Sequence, residues 1–301
     1  MPENNNSFRR SLESGHFAVT AELAPPRGID LEPLTRSIND LRPVVSAINL
    51  TDGAGARVRM SSLAAAIHAR NLGAEPILQM TCRDRNRIAL QSDLLGAAAF
   101  GVENVLVLSG DGVEAGDEAA ARPVFDLDAR SLLAALRTMS TDGVTLSGHD
   151  LNGKPDFFAG AADVPVDPAA DWVPTALQSK KAAGARFVQM QYCFDIDLLD
   201  RYFARLRDHG LTDDLYFLAG LGPLRSADAA RWMRENLWGT AMPDGVIRRM
   251  EAARDPRQEG IAICAELIEQ VRDINGISGV HLMAPGQHQA IFESVRLAGM
   301  V

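Results

Sequence analysis

The sequence has few cysteines and no long apolar runs, and both absences limit the class of protein to which it can belong. Cys82, Cys193 and Cys264 stand far apart, without a CxxC pair or a Cys/His cluster. This spacing argues against a zinc site or a disulfide framework and predicts reduced thiols in a cytoplasmic protein. No apolar run is long enough to span a bilayer, and the polar segment 1–15 lacks the apolar stretch of a signal peptide. We expect that segment to be a flexible or helical extension.

Basic charge is also in short supply, since 30 lysines and arginines stand against 39 aspartates and glutamates. The formal net charge of -9 argues against nucleic acid or an anionic membrane as the main partner. A local basic pocket for phosphates stays compatible with it. The 301 residues are 47% hydrophobic and 23% charged, as in ordinary globular proteins. An α/β barrel commonly uses this length as one domain.

The most informative stretch reads FAVTAELAPPRG and begins at Phe17. Its apolar half has the pattern of a buried strand, and Pro25 and Pro26 prevent that strand from continuing. Glu22 therefore lies close to the C-terminal end of the strand. A parallel barrel carries its catalytic residues at such ends. A carboxylate that only caps a loop or pairs with an arginine is the alternative.

Seven further segments repeat this order of strand, loop and helix. The connections are too long for hairpins and suit parallel crossovers. No GxGxxG follows the first strand, which disfavours a doubly wound dinucleotide fold. We therefore predict a (β/α)8 TIM barrel, a single domain over residues 1–301, with inserted rim loops and an extra helix at 243–254 before the last strand. The predicted strands are 17–23, 44–50, 75–81, 104–108, 157–160, 186–191, 215–220 and 279–283.

The ends of these predicted strands carry acids, amides and hydroxyls. The residues are Glu22, Thr51, Asp52, Gln79, Thr81, Asp111, Gln191 and His281. Asp111 lies in the turn SGDG, where glycines let backbone amides and one carboxylate approach a flat ligand. His281 suits a core position as well as a catalytic one. Lys180 and Lys181 either bind phosphates or lie on a solvated helix face. No rim lysine is placed for a Schiff base.

Several longer motifs occur together, namely FAVTAELAPPRG, QMTCRDRN, LVLSGD, RFVQMQYCFD and GVHLMAPGQ. On these motifs the chain resembles the methylenetetrahydrofolate reductase family over nearly its whole length. It looks most like a short bacterial branch that is associated with corrinoid and one-carbon metabolism. The resemblance implies a TIM barrel that binds FAD and uses NADH or NADPH. It also implies interconversion of 5,10-methylenetetrahydrofolate and 5-methyltetrahydrofolate.

The resemblance further implies a role for individual residues. Glu22 matches the acid that protonates N10 of the folate, and a carboxyl beside an apolar wall would keep its proton at neutral pH. Asp111 matches the acid beside the flavin pyrimidine edge and the folate. Gln191 matches a glutamine that hydrogen-bonds the pterin. The implied flavin contacts are Thr51, Gln79, Ser109, Gly110, Asp111, Ala161 and Lys180, with Lys180 near the FAD phosphates.

Three features depart from the family pattern. Gln79 stands where many members have a flavin-contacting histidine, and Ser109 replaces an arginine of the enterobacterial type. The loop GAADVPVDP lacks an aromatic residue that packs on the flavin. Direct hydride transfer from NAD(P)H without flavin therefore stays open, and so does a folate-binding or electron-transfer partner subunit. A homo-oligomer and a physiological direction towards methyltetrahydrofolate oxidation are compatible with the sequence.

Overall fold

The computed structural model of the protein describes residues 7–118 and 120–300 and has a closed barrel of eight parallel strands at its centre. Each strand pairs with the next in chain order, and the last pairs with the first, which confirms the predicted (β/α)8 barrel. The strands are β1 Ala18–Leu23, β2 Ala47–Leu50, β3 Pro76–Thr81, β4 Asn104–Leu108, β5 Phe158–Asp163, β6 Phe187–Tyr192, β7 Tyr216–Leu221 and β8 Ile277–Leu282. The helices are α1 Ser7–Glu13, α2 Glu32–Leu41, α3 Ser62–Asn71, α4 Arg87–Ala99, α5 Ala129–Thr141, α6 Thr175–Ala183, α7 Ile196–Asp208, α8 Ala227–Asn236, α9 Asp244–Ala252, α10 Pro256–Arg272 and α11 His288–Leu297.

Strand β5 differs most from its prediction. The sequence predicted a short strand at 157–160, followed by a loop, but the strand continues to Asp163. Ala161 and Ala162 extend the pairing with β6, opposite Val188 and Gln189. Alanine and aspartate are poor strand formers, so the pattern alone ended the strand too early. Ala161 consequently lies in the barrel wall with 1% of its surface exposed.

Side-chain caps mark the starts of some helices but not of others. Capping side chains accept backbone N–H groups at the starts of α3, α4, α5, α7, α8 and α10, whereas α2, α6, α9 and α11 begin without such a hydrogen bond. The helical spacing of apolar residues from Ile29 to Leu41 predicts a helix there with Asp30 as its N-cap, but α2 begins at Glu32 with Leu31 in the cap position. Asp30 still accepts the Glu32 N–H at 3.0 Å. Helix α9 confirms the extra helix before β8.

Helix α1 closes the N-terminal end of the barrel. Phe8 and Leu12 are 0% and 2% exposed, and they pack on residues at the starts of the strands. The Phe8 ring meets the Phe187 ring edge to face at 5.3 Å and the Phe158 ring at 6.0 Å. Residues 7–13 are therefore helical, while residues 1–6 of the predicted extension lie outside the described residues. Because α1 closes this end of the barrel, we expect ligands to bind at the C-terminal end.

The barrel interior changes from apolar to polar along the strands. Residues two apart on a strand point to the same side, so the inward-facing side chains of one strand lie at successive heights in the barrel. The lowest layer holds Ala18, Ala47, Ile77, Phe187 and Leu218. The next layer holds Thr20, Asn49, Gln79 and Gln189, all buried. The interior therefore becomes progressively more polar towards the C-terminal rim.

Candidate active site

The ends of β1, β3 and β8 bring three predicted rim residues together around one carboxylate. Gln79 Nε2 donates to Glu22 Oε2 at 2.8 Å. His281 Nε2 lies 3.7 Å from the same oxygen, which is an ion-pair distance. The Glu22 side chain is 24% exposed, whereas His281 is almost fully buried. Glu22 therefore has two polar neighbours on the barrel side and an open side towards the rim.

The ionisation of Glu22 differs from the sequence expectation. Burial raises the pKa of the Glu22 carboxyl, but the proximity and charge of His281, with the Gln79 amide, outweigh this effect and lower the pKa below its ordinary value. The charge contribution requires the imidazolium form of His281. In the ligand-free protein we therefore assign Glu22 as a carboxylate, instead of the neutral acid that an apolar wall alone would produce.

A buried hydrogen-bond network holds His281 in place from below. Thr20 Oγ1 lies 3.0 Å from His281 Nδ1 and 3.2 Å from the carbonyl oxygen of Val280. Gln189 Nε2 donates to Thr20 Oγ1 at 3.1 Å, and the Gln189 amide also exchanges two hydrogen bonds with Asn49. When Thr20 donates its proton to the Val280 carbonyl, Nδ1 must carry a proton and donate to Thr20. Nε2 then faces Glu22, and the two groups can share one proton.

Replacing His281 by glutamine is expected to raise the pKa of Glu22. The change removes the neighbour that lowers this pKa, while burial, which raises it, remains. The carboxylate stretching band of Glu22, isolated by subtracting the infrared spectrum of a Glu22→Gln protein, should disappear at a higher pH in the His281→Gln protein as the pH is lowered. An unchanged titration midpoint would show that His281 does not set the ionisation of Glu22.

Glu22 lines two clefts at the rim. The larger has a volume of about 750 Å³ and is also lined by Gln191 and Tyr192. Its walls come from the segments after β7 and β8 and are largely apolar, with Trp232 the largest side chain among them. The smaller cleft, of about 310 Å³, lies on the proline-rich segment after β1 and reaches Arg59. A flat ligand of substantial size could therefore reach the Glu22 carboxylate.

Gln191 lies in the larger cleft, and each half of its amide makes one hydrogen bond to the backbone. Its Nε2 donates to the carbonyl oxygen of Trp238 at 3.2 Å, and its Oε1 accepts the N–H of Tyr192 at 2.9 Å. The pairing of β6 with β7 is irregular between Gln189 and Tyr192, where Gln191 lies. Such irregularities redirect a side chain near the end of a strand. The structure thus brings Gln191 and Glu22 to one cavity.

Asp111 contacts a different part of the rim. Its Oδ2 accepts the N–H of Gly55 at 2.8 Å, in the turn after β2. Arg83, which is 3% exposed, donates to the carbonyl oxygens of Asp111 and Gly53 and holds these two turns together. Gly110 has φ +94°, and a Cβ there would lie 3.1 Å from the Cβ atoms of Thr81 and Arg83. Asp111 is exposed and lines neither cleft that contains Glu22.

The implied flavin contacts occupy the β2, β4 and β5 side of the rim. Thr51 is 2% exposed, and its Oγ1 has no hydrogen-bond partner among the described residues. A buried hydroxyl without a partner is costly, so this atom fits a ligand contact. Lys180 Nζ donates to the carbonyl oxygen of Ala162 at 2.6 Å and stands beside the end of β5. The residues present are therefore compatible with a flavin, although Gln79 is engaged by Glu22.

The other charged residues predicted at the rim, Asp52 and Lys181, form hydrogen bonds or ion pairs within the protein. Asp52 accepts the N–H and the hydroxyl of Thr81 at 2.8 and 2.9 Å and forms an ion pair with Arg85. Lys181 forms an ion pair with Asp214 at the surface, which agrees with a solvated helix face. A cleft of about 320 Å³ that both arginines and acids line lies between the segments after β2, β3 and β4. Its arginines are Arg57, Arg59, Arg83 and Arg85.

The cysteines are free thiols in the interior, as predicted. Burial raises the pKa of Cys82 to about 11 and the pKa of Cys193 and Cys264 to about 12, so these thiols are protonated near neutral pH. Within residues 7–118 and 120–300, no three or more histidines, cysteines or acids are grouped in a way that could hold a metal ion. In the same part of the chain, no helix is long and apolar enough to cross a membrane.

Sequence reasoning missed several residues of the site. Thr20, Asn49 and Gln189 form the layer below Glu22, and each stands two positions before a rim residue at the end of its strand. That spacing was the signal that could have identified them. Trp232 and Trp238 gave no such signal, because they lie beyond β7, in α8 and after it.

Fold and site together define a TIM-barrel protein whose candidate site lies on the C-terminal rim, around an acid at the end of β1. A family model described as methylenetetrahydrofolate reductase matches residues 7–299. The chain therefore belongs to the methylenetetrahydrofolate reductase family, whose activity is that of an oxidoreductase acting on folate.

Proposed function

We propose that this protein interconverts 5,10-methylenetetrahydrofolate and 5-methyltetrahydrofolate by hydride transfer, with NADH or NADPH as the other redox partner and Glu22 as general acid. The observation that carries the proposal is the position of Glu22. This carboxyl lies on the wall of an apolar cavity, with Gln79 and His281 as polar neighbours. A general acid needs both access to its substrate and a partner that controls its proton.

The larger cleft suits a reduced folate. Its volume of about 750 Å³ and its apolar walls can accommodate a flat ring system with an aromatic extension. Gln191 offers one donor and one acceptor on the same amide, which matches the amide edge of a pterin. Glu22 would face the N10 side of the folate, so that ring opening of the methylene form and protonation occur at one place.

The Glu22–His281 pair supplies the proton in this proposal. A carboxylate with an imidazolium and a carboxylic acid with a neutral imidazole hold the same number of protons. Substrate that fills the cavity removes water from Glu22, and loss of hydration disfavours the charged pair. The proton then resides on Glu22, ready for transfer to N10. Glu22 can therefore be a carboxylate with a lowered pKa in the free protein and a protonated acid when substrate is bound.

FAD would be held by Thr51, Ser109, Gly110 and Lys180, with Asp111 at its pyrimidine edge, whereas Ala161, with 1% of its surface exposed in the barrel wall, would offer it little contact. When bound, it would carry hydride between the nicotinamide nucleotide and the folate carbon. The buried Thr51 hydroxyl supports this assignment, because its oxygen lacks a partner among the described residues. The Gln79 amide donates to Glu22 and would assist the acid in addition to meeting the flavin.

The test is an absorbance spectrum of the purified protein without oxygen, before and after addition of 5-methyltetrahydrofolate. A flavin band that bleaches supports FAD and folate oxidoreduction together. A flavin band that persists would leave the cofactor but contradict independent folate oxidation, and a partner subunit would then be sought. If no flavin band forms even with added FAD, direct transfer to NAD(P)⁺ replaces the flavin route.

Replacing Asp111 by asparagine is expected to weaken binding of 5-methyltetrahydrofolate about tenfold and to raise the flavin reduction potential. The change removes a negative charge that disfavours the reduced flavin, and it keeps an oxygen that can accept the Gly55 N–H. Titration calorimetry and spectroelectrochemistry measure the two effects. Unchanged affinity together with an unchanged potential would eliminate this role for Asp111.

A further inference from the structure

The larger cleft carries little charge, and the charge it has is unevenly placed. Its charged lining residues are Glu22, Arg225 and Asp228. Glu22 lies at the end of β1 with its side chain 24% exposed, whereas Arg225 and Asp228 are exposed residues of the segment after β7. Arg225 is the one cation among the described residues that line this cleft. The apolar interior therefore ends in a basic residue at the solvent side.

The two charges on this side of the cleft do not pair with each other. Asp228 Oδ1 accepts a hydrogen bond from Arg231 at 3.0 Å, and Arg231 also donates to Glu251 at 2.6 Å. Within the part of the chain that the structure describes, the Arg225 guanidinium has no hydrogen-bond or ion-pair partner. The charge of Asp228 is thus compensated and that of Arg225 is not, in a protein whose formal net charge is -9. Arg225 is available to an anion.

The backbone that carries Arg225 is fixed on both sides. Leu224 is 2% exposed, and α10 packs so closely on it that a Cβ at Gly260 would lie 1.8 Å from the Leu224 carbonyl oxygen. On the other side, Ser226 caps α8 by accepting the Ala229 N–H at 3.1 Å. The guanidinium can move on its side chain, but its point of attachment keeps a constant position beside the cleft.

We propose that Arg225 binds the carboxylates of the glutamate tail of a reduced folate, which rests on the proposed folate site. Such a ligand has its ring system at one end and two carboxylates at the other. When the ring system lies near Glu22 and Gln191, the carboxylates reach the solvent side of the same cleft. A guanidinium donates two parallel hydrogen bonds to one carboxylate. Arg225 is therefore a binding residue that selects folates over pterins without a glutamate tail.

Arg59 is the competing cation. It lines the smaller cleft that Glu22 also lines, and its Nη1 donates to the Pro25 carbonyl at 3.0 Å. Gln191 does not line that cleft, so a folate whose pterin meets Gln191 would have to extend across both clefts to reach Arg59. One cleft of about 750 Å³ contains Glu22, Gln191 and Arg225 together, and this favours Arg225.

The first experiment compares two ligands by titration calorimetry without oxygen. The ligands are 5-methyltetrahydrofolate and 6-methyltetrahydropterin, which has no glutamate tail. Arg225→Gln should weaken binding of the folate about fivefold and leave binding of the pterin unchanged. Arg248→Gln is the matched control, because Arg248 is an exposed arginine of α9 that lines neither cleft with Glu22. It removes the same charge and should bind both ligands as the wild-type protein does.

The second experiment tests the charge of Arg225 directly. Raising the salt concentration from about 0.05 to about 0.5 M should weaken folate binding more in the wild-type protein than in Arg225→Gln, because salt screens an exposed ion pair. Arg225→Lys keeps the charge but not the paired donors, so its affinity should lie between those of the wild-type protein and Arg225→Gln. Equal salt dependence in the wild-type protein and Arg225→Gln would contradict the ion pair.

The outcomes separate the role of Arg225 from the folate site. If the folate binds equally well to Arg225→Gln and Arg248→Gln, the role of Arg225 is overturned and the folate site stands; a loss in Arg59→Gln would then place the tail in the smaller cleft. If Arg225→Gln weakens the pterin as much as the folate, the residue shapes the cleft and does not bind the tail. If the wild-type protein does not bind the folate, the proposed function fails and the role of Arg225 fails with it.

Discussion

Replacing Glu22 by glutamine is expected to slow folate turnover by roughly 10²-fold or more, while flavin reduction by NAD(P)H stays nearly intact. The glutamine has the same shape and can still accept the hydrogen bond from Gln79, so the cavity keeps its geometry. It cannot deliver a proton to N10 of the folate. Stopped-flow measurement of the two half-reactions separates the acid step from the nicotinamide step.

The pH dependence gives this prediction a second readout. In the wild-type protein, folate turnover should decrease at high pH, where the Glu22 carboxyl can no longer be protonated. The Glu22→Gln protein should not show this decrease of turnover at high pH. Glu32→Gln is the matched control, because Glu32 is an exposed carboxylate at the start of α2, on the segment that follows β1. If folate turnover in Glu22→Gln equals that of Glu32→Gln, another group is the general acid.

The order of the strands and the identity of the residues at the rim could be predicted from the sequence, because both depend on local patterns. Eight apolar segments with crossovers between them leave few alternatives to a barrel. Once the barrel is assumed, the C-terminal ends of the strands must meet. The contacts of Glu22 with Gln79 and His281 follow from this rule, although the three residues are far apart in the sequence.

Side-chain partners at the rim could not be predicted in the same way. Gln191 donates to Trp238, which lies 47 positions along the chain in an irregular segment that no period describes. The ionisation of Glu22 depends on a balance between burial and two specific neighbours, and the pattern indicated only the burial. Asp111 turned towards Gly55 because Arg83 joins the turns after β2 and β4. Such contacts depend on loop geometry that composition does not specify.

Replacing Phe8 by alanine is expected to reduce the free energy of unfolding by about 3–5 kcal/mol. The Phe8 ring is 0% exposed and packs edge to face on Phe187, within the lowest layer of the barrel. Its removal leaves a cavity in the floor, beneath the polar layer of Thr20 and Gln189. Helix α1 has only seven residues, too few to remain helical without this packing. Equilibrium unfolding in urea measures the loss.

Phe100→Ala is the matched control for this change. It removes the same side chain from a site that is 64% exposed, and its effect should stay within about 0.5 kcal/mol. Detachment of α1 alone would be recognised by fast hydrogen exchange in residues 7–13 while the barrel amides remain protected. If Phe8→Ala and Phe100→Ala unfold at the same urea concentration and α1 remains protected, Phe8 does not stabilise the floor. The hydrogen bonds from Ser7 to Glu75, at 3.2 Å, would then be sufficient to hold α1 against the barrel.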